Sequence, residues 1–301
     1  MKKGVLAVSL CLCFISGVVS AESVRGIDLD FVTIGNPGNP GDTRTDYPDS
    51  ANPYGCGAVD YTYQLGKYEI TNGQWNDFVS AAGAPTGNPS YAYDQSPSWT
   101  GTNVPTNKVS WYEAAQFCNY LTSGDKSRGA YQFSGTNTNP GDFLGIDRAV
   151  SITTYGTTYV IPTEDEWYKA AYYTGSSYST YANGTDTAPI AGTDTNYDDV
   201  IGQPWDVGSG TQEQNGTFDM MGNVLEWNET LISSARGICG GCCYNYASDL
   251  RSSTRGNGLS PYSEYNVVGF RVASVPEPAT ISLLALGTLA LRKRKIKNPI
   301  Q

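Results

Sequence analysis

The segment 216–228 constrains the fold of this chain more than any other stretch of its sequence. Its Gly222-Asn223 pair is a strong turn signal, and Asp219 and Glu226 stand on either side of that turn. Apolar residues are interleaved with them, so the segment predicts a tight turn that is anchored in a core. Two interpretations remain open. Carboxylates and carbonyl oxygens on a bent loop are ligands that calcium prefers, whereas the polar groups of an ordinary turn satisfy one another or water.

The absence of histidine and the negative charge exclude several classes of function. The chain has 301 residues, no histidine and a formal net charge of −10. Without histidine it cannot build a Ser-His-Asp or Cys-His catalytic centre, or a metal site with histidine ligands. An acidic surface argues against nucleic acid as a partner, because basic side chains hold the phosphates. The length suits one large domain or two small ones.

The first 21 residues have the features of a secretory signal. Lys2 and Lys3 precede an apolar run, and Val19-Ser20-Ala21 is a small-residue cleavage site. The alternative is a membrane anchor, for which the apolar run is short. The sequence therefore predicts a cleaved signal over residues 1–21 and export of the rest of the chain.

Residues 275–301 differ abruptly in composition from the rest of the chain. Pro276-Glu277-Pro278 is followed by a short apolar run and a basic end. As a helix, the run reaches about 20 Å, short of the ~30 Å core of a bilayer. The tail resembles a PEP-CTERM sorting signal, and a plain C-terminal anchor is the alternative. The resemblance implies transient anchoring in the inner membrane, recognition by a membrane sorting peptidase, and delivery to the envelope or extracellular matrix of a bacterium.

Three helix starts carry the same local pattern, a capping box. In each, a Ser or Thr stands three residues before a Gln or Glu, so that both side chains can bind free amides at the helix start. A tryptophan follows each box and begins an apolar stripe at helical spacing. We predict that these tryptophans, and Cys118, are core residues, with a binding stripe as the alternative. The boxes are Thr71 with Gln74, Ser110 with Glu113 and Thr163 with Glu166, and the tryptophans are Trp75, Trp111 and Trp167.

Five ordered blocks of the sequence resemble one protein family. Residues 219–227 are similar to the Gly-Asn-Val-Trp-Glu-Trp signature of the formylglycine-generating enzyme (sulfatase-modifying factor) family, although Leu225 replaces the first tryptophan. The resemblance implies a domain over residues 22–274 with an α+β fold. This is the C-type-lectin-like fold of the formylglycine-generating-enzyme type, loop-rich and low in regular secondary structure. The other blocks are residues 67–75, 109–119, 161–171 and 269–271.

The resemblance also implies calcium as a cofactor at two sites. One lies at the central turn, and the other lies in a long polar segment. For the second site, a solvated acidic loop is the alternative. The long polar segments, which we predict to be loops, cover residues 84–107, 124–158 and 172–215. The implied ligands are Asp219, Gly222, Val224 and Glu226 at the turn, and Asn196 and Tyr197 at the second site.

The catalytic cysteines of the family do not carry over to this chain. The family's enzymes use two cysteines, which hold a copper ion, to convert a substrate cysteine to formylglycine. Aligned on Gly240-Gly241, those two positions are Asn245 and Leu250 here. Neither side chain can bind copper as a thiolate.

A different cysteine cluster, Cys239, Cys242 and Cys243, stands in the same region. Three outcomes remain open. An oxidising compartment favours a structural disulfide, thiolates are soft ligands suited to Cu(I), and the C-x-x-C spacing suits a redox dithiol. Spacing does not reveal connectivity, so the pairing of Cys56 also stays open.

Two main functions follow from these observations. The first is an exported, calcium-stabilised binding or structural module of the cell envelope or matrix, without catalysis and with a peptide or polysaccharide ligand. The second is a copper-dependent thiol oxidase that uses Cys239, Cys242 or Cys243. A cell-surface protein whose only site binds calcium is a third possibility.

Overall fold

A computed structural model describes residues 19–44, 55–256 and 258–275 of the chain. Residues 1–18 of the predicted signal and the motif Pro276-Glu277-Pro278 lie outside the described residues. About 20% of the structure is helical and 23% is strand. This mixture confirms the predicted α+β class with little regular secondary structure.

The elements of the described residues are as follows, in chain order. The strands are β1 (Val19–Val24), β2 (Ile27–Ile34), β3 (Tyr63–Gly66), β4 (Tyr131–Phe133), β5 (Phe143–Ile146), β6 (Thr158–Val160), β7 (Leu225–Ile232), β8 (Ala235–Cys239), β9 (Val268–Gly269) and β10 (Ala273–Val275). The helices are α1 (Asn72–Ala82), α2 (Trp111–Ser123), α3 (Arg148–Tyr155) and α4 (Glu164–Tyr172), with 3₁₀ turns at Ser90–Ala92 and Ala247–Leu250.

A five-stranded antiparallel sheet joins the two ends of the described chain. Its strand order is β1-β2-β3-β10-β6, so the first and last described strands share one sheet. Val32 on β2 and Leu65 on β3 are register partners, and neither has exposed surface. Burial of such pairs on one face places the sheet against the core.

Two smaller sheets complete the fold. In one, β7 pairs antiparallel with β8 and parallel with β9; in the other, β4 pairs with β5. The turn predicted at Gly222-Asn223 lies directly before β7. That strand therefore carries Glu226 and Trp227 into the core, where neither has exposed surface.

The three predicted capping boxes are confirmed, and each one begins a helix. At the start of α2, the Ser110 side chain accepts from the Glu113 amide at 3.2 Å, and the Glu113 carboxylate accepts from the Ser110 amide at 2.8 Å. Thr71 and Thr163 begin α1 and α4 in the same way. The tryptophan that follows each box is at most 8% exposed, which confirms the predicted core packing.

The prediction of a loop over residues 124–158 is wrong in part, because this segment contains β4, β5 and α3. Helix α3 is short, and contacts with distant residues hold it in place. Arg148, its first residue, forms ion pairs with Glu166 at 2.8 Å and with Glu229 at 2.9 Å. These partners lie 18 and 81 residues away, so no local pattern could have revealed them.

Strand β1 spans the predicted signal cleavage point. Its residues 19–21 pair with residues 30–32 of β2, and cleavage after Ala21 would leave Glu22 as the first residue of a shorter strand. Cleavage of the signal stays a prediction. Among the described residues, no helix combines the length and the apolar character that crossing a bilayer requires.

The change Ser110→Ala tests the capping box of α2. It removes the acceptor for the Glu113 amide at a buried helix start, so we expect the free energy of unfolding to fall by about 1 kcal/mol. Urea unfolding followed by tryptophan fluorescence measures this change. Ser98→Ala is the control, because Ser98 is exposed and its hydroxyl bonds to nothing in the described chain. Equal unfolding midpoints for both variants would contradict the prediction.

Candidate functional site

A buried ion pair between Arg271 and Glu226 lies at the centre of the molecule, and neither side chain has exposed surface. Arg271 Nη2 and Nε donate to the two carboxylate oxygens at 2.5 and 2.6 Å. Trp167 Nε1 donates to the same carboxylate at 2.8 Å. The guanidinium also reaches the carbonyl oxygens of Gly66 and Phe218, both at 3.0 Å. The pair therefore links β7, α4, the end of β3 and the segment before β10.

Three further carboxyl groups, Glu69, Asp219 and Glu213, are buried close to this pair. One guanidinium cannot neutralise four carboxylates. Burial raises the pKa of Asp219, and burial together with repulsion from Asp219 raises the pKa of Glu69 well above its usual range. Burial raises the pKa of Glu213 to about 8, so Glu213 holds a proton at neutral pH.

The predicted turn forms at Gly222 and Asn223, whose φ angles are 76° and 58°. Glycine is required at the first position, because a side chain there would collide with the carbonyl group of Asn196. The Asn223 amide donates to that same carbonyl at 2.8 Å. Asn223 Nδ2 and the Val224 amide donate to the two oxygens of Glu69 at 2.7 and 3.2 Å. The structure thus brings together the two regions that the resemblance assigned to separate calcium sites.

The carboxylates predicted to bind calcium at the turn already have protein donors. Arg271 holds Glu226, and Asp219 accepts from Trp205 Nε1 at 2.9 Å and from the Gly208 amide at 2.7 Å. These two carboxylates do not fit a calcium ion unless their partners are displaced. In the parts of the chain that the structure describes, no group of three or more His, Cys, Asp or Glu side chains could hold a metal ion. The geometry favours the other interpretation, in which the turn's polar groups satisfy one another.

Asn196 differs from the other predicted calcium ligands. Its side-chain oxygen is buried without a partner among the described residues, whereas its nitrogen donates to the carbonyl of Gln203 at 2.9 Å. The neighbouring Tyr197 hydroxyl donates to the carbonyl of Pro189 at 2.6 Å. A buried acceptor without a donor is costly, so the Asn196 oxygen marks a position that suits a cation or a water molecule.

The cysteine cluster divides into two environments. Cys239 ends β8 and accepts from Asn228 Nδ2 at 3.2 Å, and burial raises the pKa of its thiol. Cys242 and Cys243 are buried neighbours, and interaction with the Cys243 thiol lowers the pKa of Cys242. The cysteines of the described residues are free thiols. A disulfide, one of the three outcomes that the sequence left open for this cluster, is not formed in this structure.

The two positions that match the family's catalytic cysteines have structural roles. Asn245 Oδ1 accepts from the Cys242 amide at 2.8 Å, and the Asn245 carbonyl accepts from the Asp198 amide at 2.8 Å. Leu250 has no exposed surface, and its carbonyl accepts from the Tyr172 hydroxyl at 3.1 Å. Asn245 therefore holds its loop together, and Leu250 is a core residue.

A small cavity lies beside these positions, between α4 and the end of β8. Its volume is about 20 Å³, which holds about one water molecule. Cys56 and Cys239 line it, together with the ion pair of Glu164 and Arg255 at 2.5 Å. Burial and the nearby Glu164 raise the pKa of Cys56 to about 12, so this thiol stays protonated at neutral pH. No sequence pattern marks the ion pair, because its partners lie 91 residues apart.

Glu213→Gln tests the proton that Glu213 holds. Its pKa is about 8 in the folded chain, against 4.5 as the ordinary value. The folded state therefore binds one more proton between these values, and stability is lost as pH rises from 4.5 to 8. The free energy of unfolding therefore depends on pH in this range, and we expect the glutamine variant to reduce that slope by up to about 1.4 kcal/mol per pH unit. Its amide oxygen can replace the carboxyl oxygen that accepts from Thr217 and Met220.

Urea unfolding at pH 6, 7 and 8 measures the slope. Asp206→Asn, at an exposed carboxylate, is the control and should keep the native slope. An unchanged slope in the glutamine variant would show that Glu213 is ionised in the folded protein.

Comparisons with known proteins agree with this architecture. The chain is 28% identical over 184 residues to the chaperone protein LppX of Paenibacillus barcinonensis; the match covers 55% of this chain and 61% of that protein. It therefore spans less than two thirds of that relative's length.

Three solved structures share the fold. Treponema denticola variable protein 1 is 21% identical, with a TM-score of 0.60 over 86% of this chain and 99% of its own. CarF is 20% identical, with a TM-score of 0.57 over 83% and 99%. PvdO from Pseudomonas aeruginosa is 16% identical, with a TM-score of 0.56 over 85% and 97%. Identities this low show the fold and not the activity.

Family models confirm both resemblances drawn from the sequence. The PEP-CTERM protein-sorting motif matches residues 274–295. This tail indicates export, recognition by a membrane sorting protease and sorting to the bacterial cell envelope. The sulfatase-modifying factor enzyme 1-like domain matches residues 39–275. The chain therefore belongs to the sulfatase-modifying factor enzyme 1-like family.

Proposed function

We propose that this protein is an exported binding module of the bacterial cell envelope that keeps the sulfatase-modifying-factor scaffold without its catalysis. The observation that carries the proposal is the pair of residues at the family's catalytic positions. A hydrogen-bonded asparagine, Asn245, and a fully buried leucine, Leu250, stand there. Neither offers a thiolate to copper.

The space beside these positions supports the same proposal. The cavity of about 20 Å³ holds a water molecule, whereas pockets for small ligands have volumes of about 300–1,000 Å³. A peptide that carries a substrate cysteine cannot enter a cavity of this size. The relative LppX is named a chaperone protein, which is consistent with a function in binding.

The second candidate function is a copper-dependent thiol oxidase that uses the cysteine cluster. One observation favours it: interaction with the Cys243 thiol lowers the pKa of Cys242, which favours the thiolate form that binds metals. Against it stands burial, because Cys242 is 4% exposed and Cys243 is not exposed at all. A substrate thiol has little access to sulfur atoms this deep, and the binding module is the better-supported function.

Oxidation of cysteine-containing peptides separates the two candidates. We expect the full chain, supplied with Cu(I), reductant and oxygen, to form no peptide aldehyde detectable by mass spectrometry. Oxygen uptake should equal that of the same copper without protein. The double variant Cys242→Ser/Cys243→Ser is the control and should behave like the native chain. Turnover by the native chain would overturn the proposal, and its loss in this variant would assign the oxidase activity to Cys242 or Cys243.

Calcium stabilisation is the remaining part of the proposal, and Asn196 supports it. Its unpartnered oxygen lies beside the Gly222-Asn223 turn, since the Asn196 carbonyl accepts from the Asn223 amide. A calcium ion bound to this oxygen and to backbone carbonyls would leave the pair of Glu226 and Arg271 in place. Such an ion would stabilise the folded state, because the unfolded chain does not bind it.

Thermal unfolding in EDTA and in excess calcium tests this part of the proposal. We expect calcium to raise the melting temperature, with a gain of about 2.7 kcal/mol at one hundred times the dissociation constant. Magnesium requires near-ideal octahedral geometry, so it should not replace calcium. Asn196→Ala should remove the response. A native melting temperature that is the same in EDTA and in calcium would contradict the calcium site.

A further inference from the structure

A second concave surface lies on the five-stranded sheet, and it shares no residue with the cavity beside Cys239. Its volume is about 390 Å³, within the range of small-ligand pockets. Each of the five strands contributes at least one lining residue. We call this surface the sheet groove.

The strand register places a row of polar side chains in the sheet groove. Thr33 is the partner of Gln64, Gln64 of Ser274, and Ser274 of Tyr159. Register partners project to the same face of a sheet, so the row crosses four strands. Two residues before Thr33, the same face of β2 carries Phe31, which is fully buried. The side chains on this face of the sheet therefore change from apolar to polar where the groove begins.

The polar groups of the groove have hydrogen-bonding capacity that the protein leaves unused. The hydroxyl groups of Thr33, Thr62 and Thr157 form no hydrogen bond within the described residues, and Thr62 and Thr157 are exposed. Gln64 Nε2 reaches a serine hydroxyl of β1 at 3.4 Å, a long and weak contact. Each hydroxyl can donate one bond and accept two, so the groove offers several donors and acceptors to a ligand.

The charge of the groove restricts the class of ligand. Its described lining contains one charged side chain, Glu22, which accepts from the Tyr159 hydroxyl at 3.3 Å. In the uncleaved chain, no lysine or arginine is among the described lining residues, so the lining side chains offer no cation to balance a phosphate, sulfate or carboxylate. A lipid chain would bury the hydroxyl groups without partners, which is costly. A neutral ligand that is rich in hydroxyl groups satisfies the lining, and the Tyr159 ring offers an apolar wall for its C–H faces.

We propose that the sheet groove binds a neutral saccharide of one or two sugar rings. This inference rests on the proposed function as a binding module, and it assigns that module a ligand class and a site. The lining residues run from Glu22 to Ser274. All of them therefore belong to the predicted domain of residues 22–274.

An array of neutral and acidic glycans, probed with the full chain, tests this inference. We expect binding to neutral glycans and none to uronic acid polymers or sulfated glycans. Isothermal titration with the smallest neutral binder then gives its affinity. No binding to neutral glycans, or binding to acidic glycans alone, would overturn the inference.

Two threonine variants locate the binding site. Thr157 is exposed and lines the groove, whereas Thr153 is exposed on α3 and does not line it. Thr157→Trp should weaken binding at least tenfold by filling the groove, and Thr153→Trp should keep the native affinity. Gln64→Ala, which removes one half-buried amide of the lining, should weaken binding about fivefold, the effect of one hydrogen bond. Equal affinities of the native, Thr157→Trp and Gln64→Ala chains would overturn the assignment to the groove.

The outcomes of this experiment differ from those that bear on the proposed function. Absence of glycan binding with absence of peptide oxidation would overturn this inference and leave the non-catalytic module in place. Oxygen-dependent turnover of a cysteine peptide would overturn the proposed function whether or not a glycan binds.

Discussion

The ion pair of Arg271 and Glu226 is the interaction on which the rest of the structure depends. Each charge is fully buried, and removal of either partner would leave the other uncompensated, at a cost of about 3–5 kcal/mol. The pair also fixes geometry, because it holds β7 against α4 and the end of β3. The Gly222-Asn223 turn enters β7 at this point, so the position of the turn follows from the pairing.

The ion pair of Arg271 and Glu226 also explains how the carboxylates near the Gly222-Asn223 turn stabilise the fold. Arg271 donates hydrogen bonds to both oxygens of Glu226. The carboxylates of Asp219 and Glu69 accept hydrogen bonds from tryptophan, asparagine and backbone donors. Burial raises the pKa values of three of the four carboxyl groups around this guanidinium, that of Glu213 to about 8. The carboxylates of the turn therefore belong to an internal network of hydrogen bonds.

The scaffold and the chemistry of the family are separate properties in this chain. The scaffold is kept, because the capping boxes, the turn and the ion pair are all present. At the catalytic positions, Asn245 holds a loop and Leu250 fills the core, and the neighbouring cavity has room for water alone. The concave surface of ligand size is formed by the sheet that joins the two ends of the domain. Function in such a family belongs to the site and not to the fold.

The sequence by itself determined the features that depend only on residues a few positions apart in the chain. The capping boxes at Ser110 and Thr163 join residues three apart, and the Gly222-Asn223 turn needs only its own backbone angles. The missing catalytic cysteines and the sorting tail were also readable, because they are matters of residue identity. Only the tertiary structure decided that Glu226 forms an ion pair with Arg271, 45 residues away. It also decided that residues 148–155 form a helix and that five strands contribute to one groove. These outcomes depend on which distant side chains meet when the core packs, and a local pattern of residues does not contain that information.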